Sequence, residues 1–134
     1  MREVLVDSSL VLDLFTADPL FCGPSLALLS EWGSDHELCV NDIVCAEVSV
    51  GFSRIEALDA ALGGAGFVHR PMPAEALFLA AKAFQAYRKR GGPRMSILPD
   101  FFIGAHAAVR GIPLLTRDPE GVRQAYPRVK IVSP

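Results

Sequence analysis

Short, mostly apolar runs alternate along this chain with longer stretches in which apolar residues recur every three or four positions. Runs of the first kind, at 4–6, 37–40, 67–70, 112–115 and 129–132, read as strands covered on both faces, as a parallel sheet requires. The longer stretches read as helices at 10–15, 25–32, from an Asn41 or Asp42 cap to about 52, at 54–62, 73–89, 100–110 and 120–125. Gly33, Gly63-Gly64 and Gly111 supply stops. Helical spacing predicts inward faces of Leu26, Leu29 and Trp32; of Ile43, Ala46 and Val50; of Ile55, Leu58 and Leu62; and of Leu77, Ala80, Ala81 and Phe84. Strands alternating with helices predict an α/β sandwich around a central, mainly parallel sheet.

Length and composition narrow this picture. With 134 residues, 51% of them hydrophobic, the chain suits one packed domain over 1–134 and excludes a disordered or linker protein. The longest apolar helical segment, 76–87, already carries Lys82 and Gln85, so no membrane span is expected. Glu3, Asp7 and Asp13 interrupt what would have to be the apolar part of a signal peptide, which makes the cytoplasm the expected compartment. Cys22, Cys39 and Cys45 form no metal-ligand pair and read as buried thiols.

The net charge of −2 conceals an uneven distribution. Up to Tyr87 there are four Lys/Arg against twelve Asp/Glu, and from Arg88 onward nine against three. The basic half suits a polyanion, while carboxylates in the acidic half suit cations; solvated surface charge is the plain alternative.

Four carboxylates stand out. In a parallel α/β sheet ligands collect at the carboxyl ends of strands, where Asp7 and Asp118 fall. Either also serves as an ordinary local former, Asp7 as a helix cap and Asp118 in an Asp-Pro turn. Asp100 opens a helix whose next same-face residues, Ile103, Gly104 and Ala107, are apolar and mostly small, so that face can approach a sheet closely. Glu47 interrupts an otherwise apolar helix with no basic residue within four positions. If the four converge, each pair at about 5 Å repels by roughly 3 kcal/mol at an effective dielectric near 20. A divalent cation removes that penalty, and an all-oxygen donor set selects Mg²⁺ or Mn²⁺ over zinc. Such an ion beside a basic half-chain suits phosphodiester hydrolysis.

At these residues the chain resembles the PIN-domain ribonucleases, and more narrowly the VapC-type toxins of type II toxin-antitoxin pairs. The segments that carry the resemblance are VLVDSSLVLDLF, NDIVCAEVSVGF, LPDFFIGAHA and IPLLTRDPEGVRQAYP, in the family's order over nearly the whole chain. It implies a PIN-like three-layer sandwich in which Asp7, Glu47, Asp100 and Asp118 hold one or two Mg²⁺ or Mn²⁺ ions for hydrolysis of RNA, supported by Ser9 and Thr116. A homodimer and a cognate VapB-type antitoxin, its helix along an apolar groove near the N-terminal helices, are further implications. His106 departs from the small hydroxyl residue frequent in the family and reads as structural; a role for Glu120 stays open. Arg88, Lys89, Arg90, Arg94 and Arg117 are candidates for RNA contact, although a basic helix C-terminus explains part of the run. Arg117 has a second reading, as the partner of a site carboxylate. A haloacid-dehalogenase-type phosphatase requires a second Asp where Ser9 stands. A non-enzymatic scaffold with a vestigial acidic site is the other alternative.

Overall fold

The computed structural model describes residues 2–93 and 98–134. Five strands, β1 (Arg2–Val6), β2 (His36–Val40), β3 (Phe67–His69), β4 (Leu114–Leu115) and β5 (Ile131–Val132), form one all-parallel sheet in the order β3-β2-β1-β4-β5. Val4, Leu5 and Val6 have no exposed surface. Because successive strand residues point to opposite faces, β1 is covered on both sides, which makes the architecture a sheet between helical layers. The chain runs outward from β1 through β2 to β3, then resumes on the other side of β1 with β4 and β5. This reversal opens a crevice at the carboxyl ends of β1 and β4.

Among the described residues seven helices surround the sheet: α1 (Ser8–Phe15), α2 (Cys22–Gly33), α3 (Asp42–Ser49), α4 (Ile55–Gly64), α5 (Ala74–Lys89), α6 (Pro99–Arg110) and α7 (Glu120–Ala125). Their order is the one the hydrophobic pattern predicts, and Gly111 ends α6 in the left-handed conformation at φ 65°.

Helix rotations differ from the predicted faces for identifiable reasons. In α2 the buried residues are Ser25, Leu28 and Leu29, while Leu26 is half exposed. Ser25 turns inward because its hydroxyl donates to Asp13 at 2.8 Å. Helix α3 buries Val44 and Val48 and leaves Val50 outside. Two apolar stripes compete there, and the N-cap decides between them: the fully buried Asn41 side chain accepts from the Val44 N–H at 2.9 Å and contacts His106 Nδ1 at 3.2 Å. In α5 the inner residues are Ala76 and Ala80, with Phe84 and Tyr87 partly covered; Leu77 and Phe78 face outward. In α4, Leu58 and Leu62 are buried and Ile55 is exposed.

Close approach between α6 and α7 depends on Gly104, since a Cβ there would overlap the Tyr126 ring. The Tyr126 hydroxyl donates to the Phe101 carbonyl at 2.7 Å, and burial raises its pKa. Cys22, Cys39 and Cys45 are free thiols, of which Cys39 is fully buried. Among the described residues no helix is long and apolar enough to cross a membrane.

His106 is buried, and desolvation lowers its pKa, so it stays neutral. Asn41's oxygen is occupied by the Val44 N–H, so its amide nitrogen donates to the imidazole. Asn41→Ala removes both the cap and the histidine's partner. It is expected to lower stability by about 2–3 kcal/mol in urea denaturation, with an unchanged denaturant slope.

Candidate functional site

Asp7 is the first residue beyond β1, and its backbone is tied to β4 by an Asp7 N–H bond to the Leu115 carbonyl at 2.9 Å. It occupies the cap position of α1, yet its side chain makes no cap hydrogen bond. Instead, Oδ2 accepts from Ser9 Oγ and from Thr116 Oγ1, each at 2.8 Å. Two hydroxyls thus satisfy one oxygen of a carboxylate that is only 6% exposed, and among the described residues no Lys, Arg or His pairs with it. The Thr116 hydroxyl also accepts from the Asp118 N–H at 3.1 Å, and Ser9 Oγ accepts from the Arg117 N–H at 3.2 Å. Asp7 and the turn after β4 are therefore held together from both sides of the crevice.

Glu47 reaches the same place from α3. Ser8 donates to its Oε1 at 2.9 Å. Burial pushes its pKa up, opposed by that hydrogen bond and reinforced by the charge of Asp7. Asp100 sits in the first turn of α6, whose cap residue is Leu98, so it is not the cap. Its pKa is raised to about 6, first by burial and then by the charges of Asp7, Glu47 and Asp118. Asp100 as a whole residue is exposed, and its carboxylate lies against α7, where a Cβ on Gly121 would stand 3.3 Å from Oδ2. Asp118 is exposed at the crevice edge.

Asp7, Glu47, Asp100 and Asp118 thus come from four separate segments into one electrostatic neighbourhood. Among the described residues none of them is in an ion pair with a protein cation. Nor do any three of them bring ligand atoms within 4.8 Å of one another; the trio that does is Glu3, Glu37 and Cys39, at the amino ends of β1 and β2. That trio is already neutralised. Arg70 pairs with Glu37 at 2.6 Å and with Glu3 at 3.4 Å, and Arg110 pairs with Glu3 at 3.3 Å. Burial and the hydrogen bond to Glu37 raise the Cys39 pKa to about 12, which keeps the thiol protonated and a poor ligand. The donor set that fits a hard divalent cation is the unpaired one at the carboxyl ends.

Two residues outside the predicted set support the site. Ser8 is one, as the donor to Glu47. The other is Asp13, 2% exposed on α1, which accepts from Ser25 and forms an ion pair with Arg117 at 3.1 Å. Its signal is the one that singled out Glu47, a carboxylate inside an apolar helical stretch. Arg117 also lies over the Phe21 ring at 4.0 Å, and its Nε is buried without a hydrogen-bond partner. The guanidinium pairs with Asp13, which is not one of the four predicted site carboxylates. Arg88 and Lys89 occupy the last turn of α5 and Arg90 its C-cap, all exposed. Arg94 lies outside the described residues. Glu120 pairs with Arg123 at 3.0 Å on the surface of α7.

Comparisons with known proteins identify the family and the fold. The family model of the PIN domain matches residues 4–126. Comparison with curated protein sequences gives no match. Among solved structures, a chain of VapBC2 from Rickettsia felis, crystallised with a DNA fragment from its promoter, superposes with a TM-score of 0.74 at 14% identity, covering 98% of both chains. A chain of VapBC-1 from nontypeable Haemophilus influenzae gives 0.72 at 16% identity, again with 98% of each chain covered. A toxin-antitoxin complex from Klebsiella pneumoniae gives 0.69 at 19%, covering 97% of this chain and 96% of the other. These are likenesses of fold.

Two outcomes test the geometry. Asp13→Ala strands the Arg117 guanidinium against Phe21 and is expected to cost about 3 kcal/mol in chemical denaturation. Asp100 has a folded-state pKa of about 6, above its ordinary value of 3.8. Its stabilising effect is therefore complete below about pH 4 and lost as pH rises through 6. In metal-free buffer Asp100→Asn should lack this pH step and exceed the wild type at neutral pH by about 1 kcal/mol, discounted for the exposed part of the residue. Calorimetry between pH 4 and 8 reads both effects, and added Mg²⁺ should narrow the neutral-pH gap.

Proposed function

The chain belongs to the PIN-domain family, and from that premise we propose that it is a single-domain, Mg²⁺- or Mn²⁺-dependent endoribonuclease, the toxin of a toxin-antitoxin pair. One observation carries the reading: among the described residues none of the four carboxylates is in an ion pair with a protein cation, and the charges of Asp7, Glu47 and Asp118 add to burial in raising the Asp100 pKa to about 6. Charge crowding of this kind is relieved by a bound cation.

In this reading Asp7, Glu47, Asp100 and Asp118 hold the metal. When bound, the ion supplies a water of lowered pKa and neutralises charge at the phosphoryl group. Ser9 and Thr116 fix the rotamer of Asp7 by donating to one of its oxygens, leaving the other for a cation. Ser8 does the same for Glu47, whose raised proton affinity fits it to take up a proton at its carboxylate. Arg88, Lys89 and Arg90 border the crevice's approach and suit the phosphates of an RNA strand. Arg117 is assigned to structure, since Asp13 engages its guanidinium. A VapB-type antitoxin as partner is drawn from the toxin-antitoxin complexes that share the fold, and a homodimer from the family resemblance alone.

The deciding experiment is sequencing of fragment ends after incubation of RNA with the purified chain and Mg²⁺ or Mn²⁺. Cleavage by the wild type should fall at least about 100-fold in Asp100→Asn, with the circular dichroism spectrum preserved. Equal cleavage by the two proteins would refute the reading. Absence of both cleavage and metal binding by the wild type would favour the scaffold alternative.

A further inference from the structure

Beside the acidic crevice lies a second concavity that the nuclease reading does not use. It is a cavity of about 220 Å³ between the end of α5, the first turn of α6 and α7, walled by Tyr87, Arg90, Asp100, Phe101, Gly121 and Gln124. Tyr87 and Phe101 meet edge to face with ring centroids 5.5 Å apart, and Phe84 backs both at 6.3 and 5.8 Å. The aromatic wall is therefore rigid. Gln124 lies exposed on α7, and among the described residues its amide has no hydrogen-bond partner, leaving a donor and an acceptor side by side. Arg90, at the mouth, is in no ion pair among the described residues. Gly121 lines the cavity beside Asp100 without a side chain; a Cβ there would stand 3.3 Å from Oδ2.

We infer that this cavity receives the base of the nucleotide flanking the scissile phosphate, with Gln124 reading its edge and Arg90 holding its phosphate. The inference rests on the nuclease reading, since it deepens the substrate assignment of that site. The argument is one of size, chemistry and place. Two larger cavities, of about 670 and 660 Å³, have none of the four carboxylates in their walls, whereas this one is scaled to a single ring system and has Asp100 in its wall. Aromatic side chains accept any base by its face, while a primary amide discriminates by donor and acceptor pattern at its edge. A guanidinium on the phosphate strengthens binding without regard to sequence. Specificity and affinity are thus assigned to different residues, and separate substitutions resolve them.

The test uses a randomised RNA oligonucleotide pool cut in Mn²⁺ by the wild type, Gln124→Ala and Arg90→Ala, with both fragment ends sequenced. Wild-type cutting is expected to favour one base at one flanking position by about ten-fold. Gln124→Ala should reduce that preference below about two-fold and leave preferences elsewhere intact, a change that mere structural support from an exposed side chain would not produce. Arg90→Ala should slow cutting of all sequences alike and flatten the salt dependence. Mn²⁺ affinity of the protein alone should match the wild type in Gln124→Ala, which isolates the effect from the metal site. A Gln124→Ala preference that superposes on the wild type, or a wild type with no preference at any flanking position, overturns the inference while the nuclease reading stands. A wild type that binds Mn²⁺ and cuts no RNA overturns both.

Discussion

The site is governed by an electrostatic imbalance within a single sheet. Both ends of the central strands carry acids, but among the described residues arginines pair with the acids of the amino ends and with none of the four in the crevice. At the amino ends, Glu3 and Glu37 are registered opposite each other and shared between Arg70 and Arg110. At the carboxyl ends, Asp7 is met by hydroxyls, Glu47 by a hydroxyl, and Asp100 by other negative charges. Hydroxyl donors orient a carboxylate without cancelling its charge, so the field in the crevice remains negative and directed. A chain with a near-neutral total thus concentrates unbalanced charge at one point.

Holding like charges together requires stiffness from elsewhere, and the packing supplies it through polar groups that are themselves buried. Asp13 ties α1 to Ser25 on α2 and to Arg117 in the turn after β4. Asn41 ties the start of α3 to His106 on α6. These links join the segments that present Asp7, Asp118, Glu47 and Asp100, and each connects elements distant in sequence. Hydrophobic contacts between the same helices resist separation but tolerate rotation, whereas a buried hydrogen bond fixes one angle.

Much of this was legible in the sequence. Element order and a mainly parallel sheet follow from apolar runs and glycine stops, and the strand-end rule singles out Asp7 and Asp118, while Glu47 and Asp100 are singled out by their apolar helical surroundings. Faces of α2, α3 and α5 were not, because each has more than one apolar stripe and the choice falls to polar anchors such as Ser25 and Asn41, which hydropathy scores as outward. Asp13 escaped for the same reason: its partner Arg117 is 104 residues away, and no local spacing reveals such a pair. Arg117 carried both readings beside Asp118, phosphate contact or carboxylate pairing, and only the three-dimensional neighbourhood shows its guanidinium spent on Asp13.

The phenol of Tyr126 deserves a last consequence. Its ring rests on the bare backbone at Gly104, and its hydroxyl grips the carbonyl of Phe101, the residue that follows Asp100. Tyr126 itself closes α7, the helix entered directly from the turn that bears Asp118. One neutral side chain thereby indexes two of the acids to each other from behind, like a dowel between two plates.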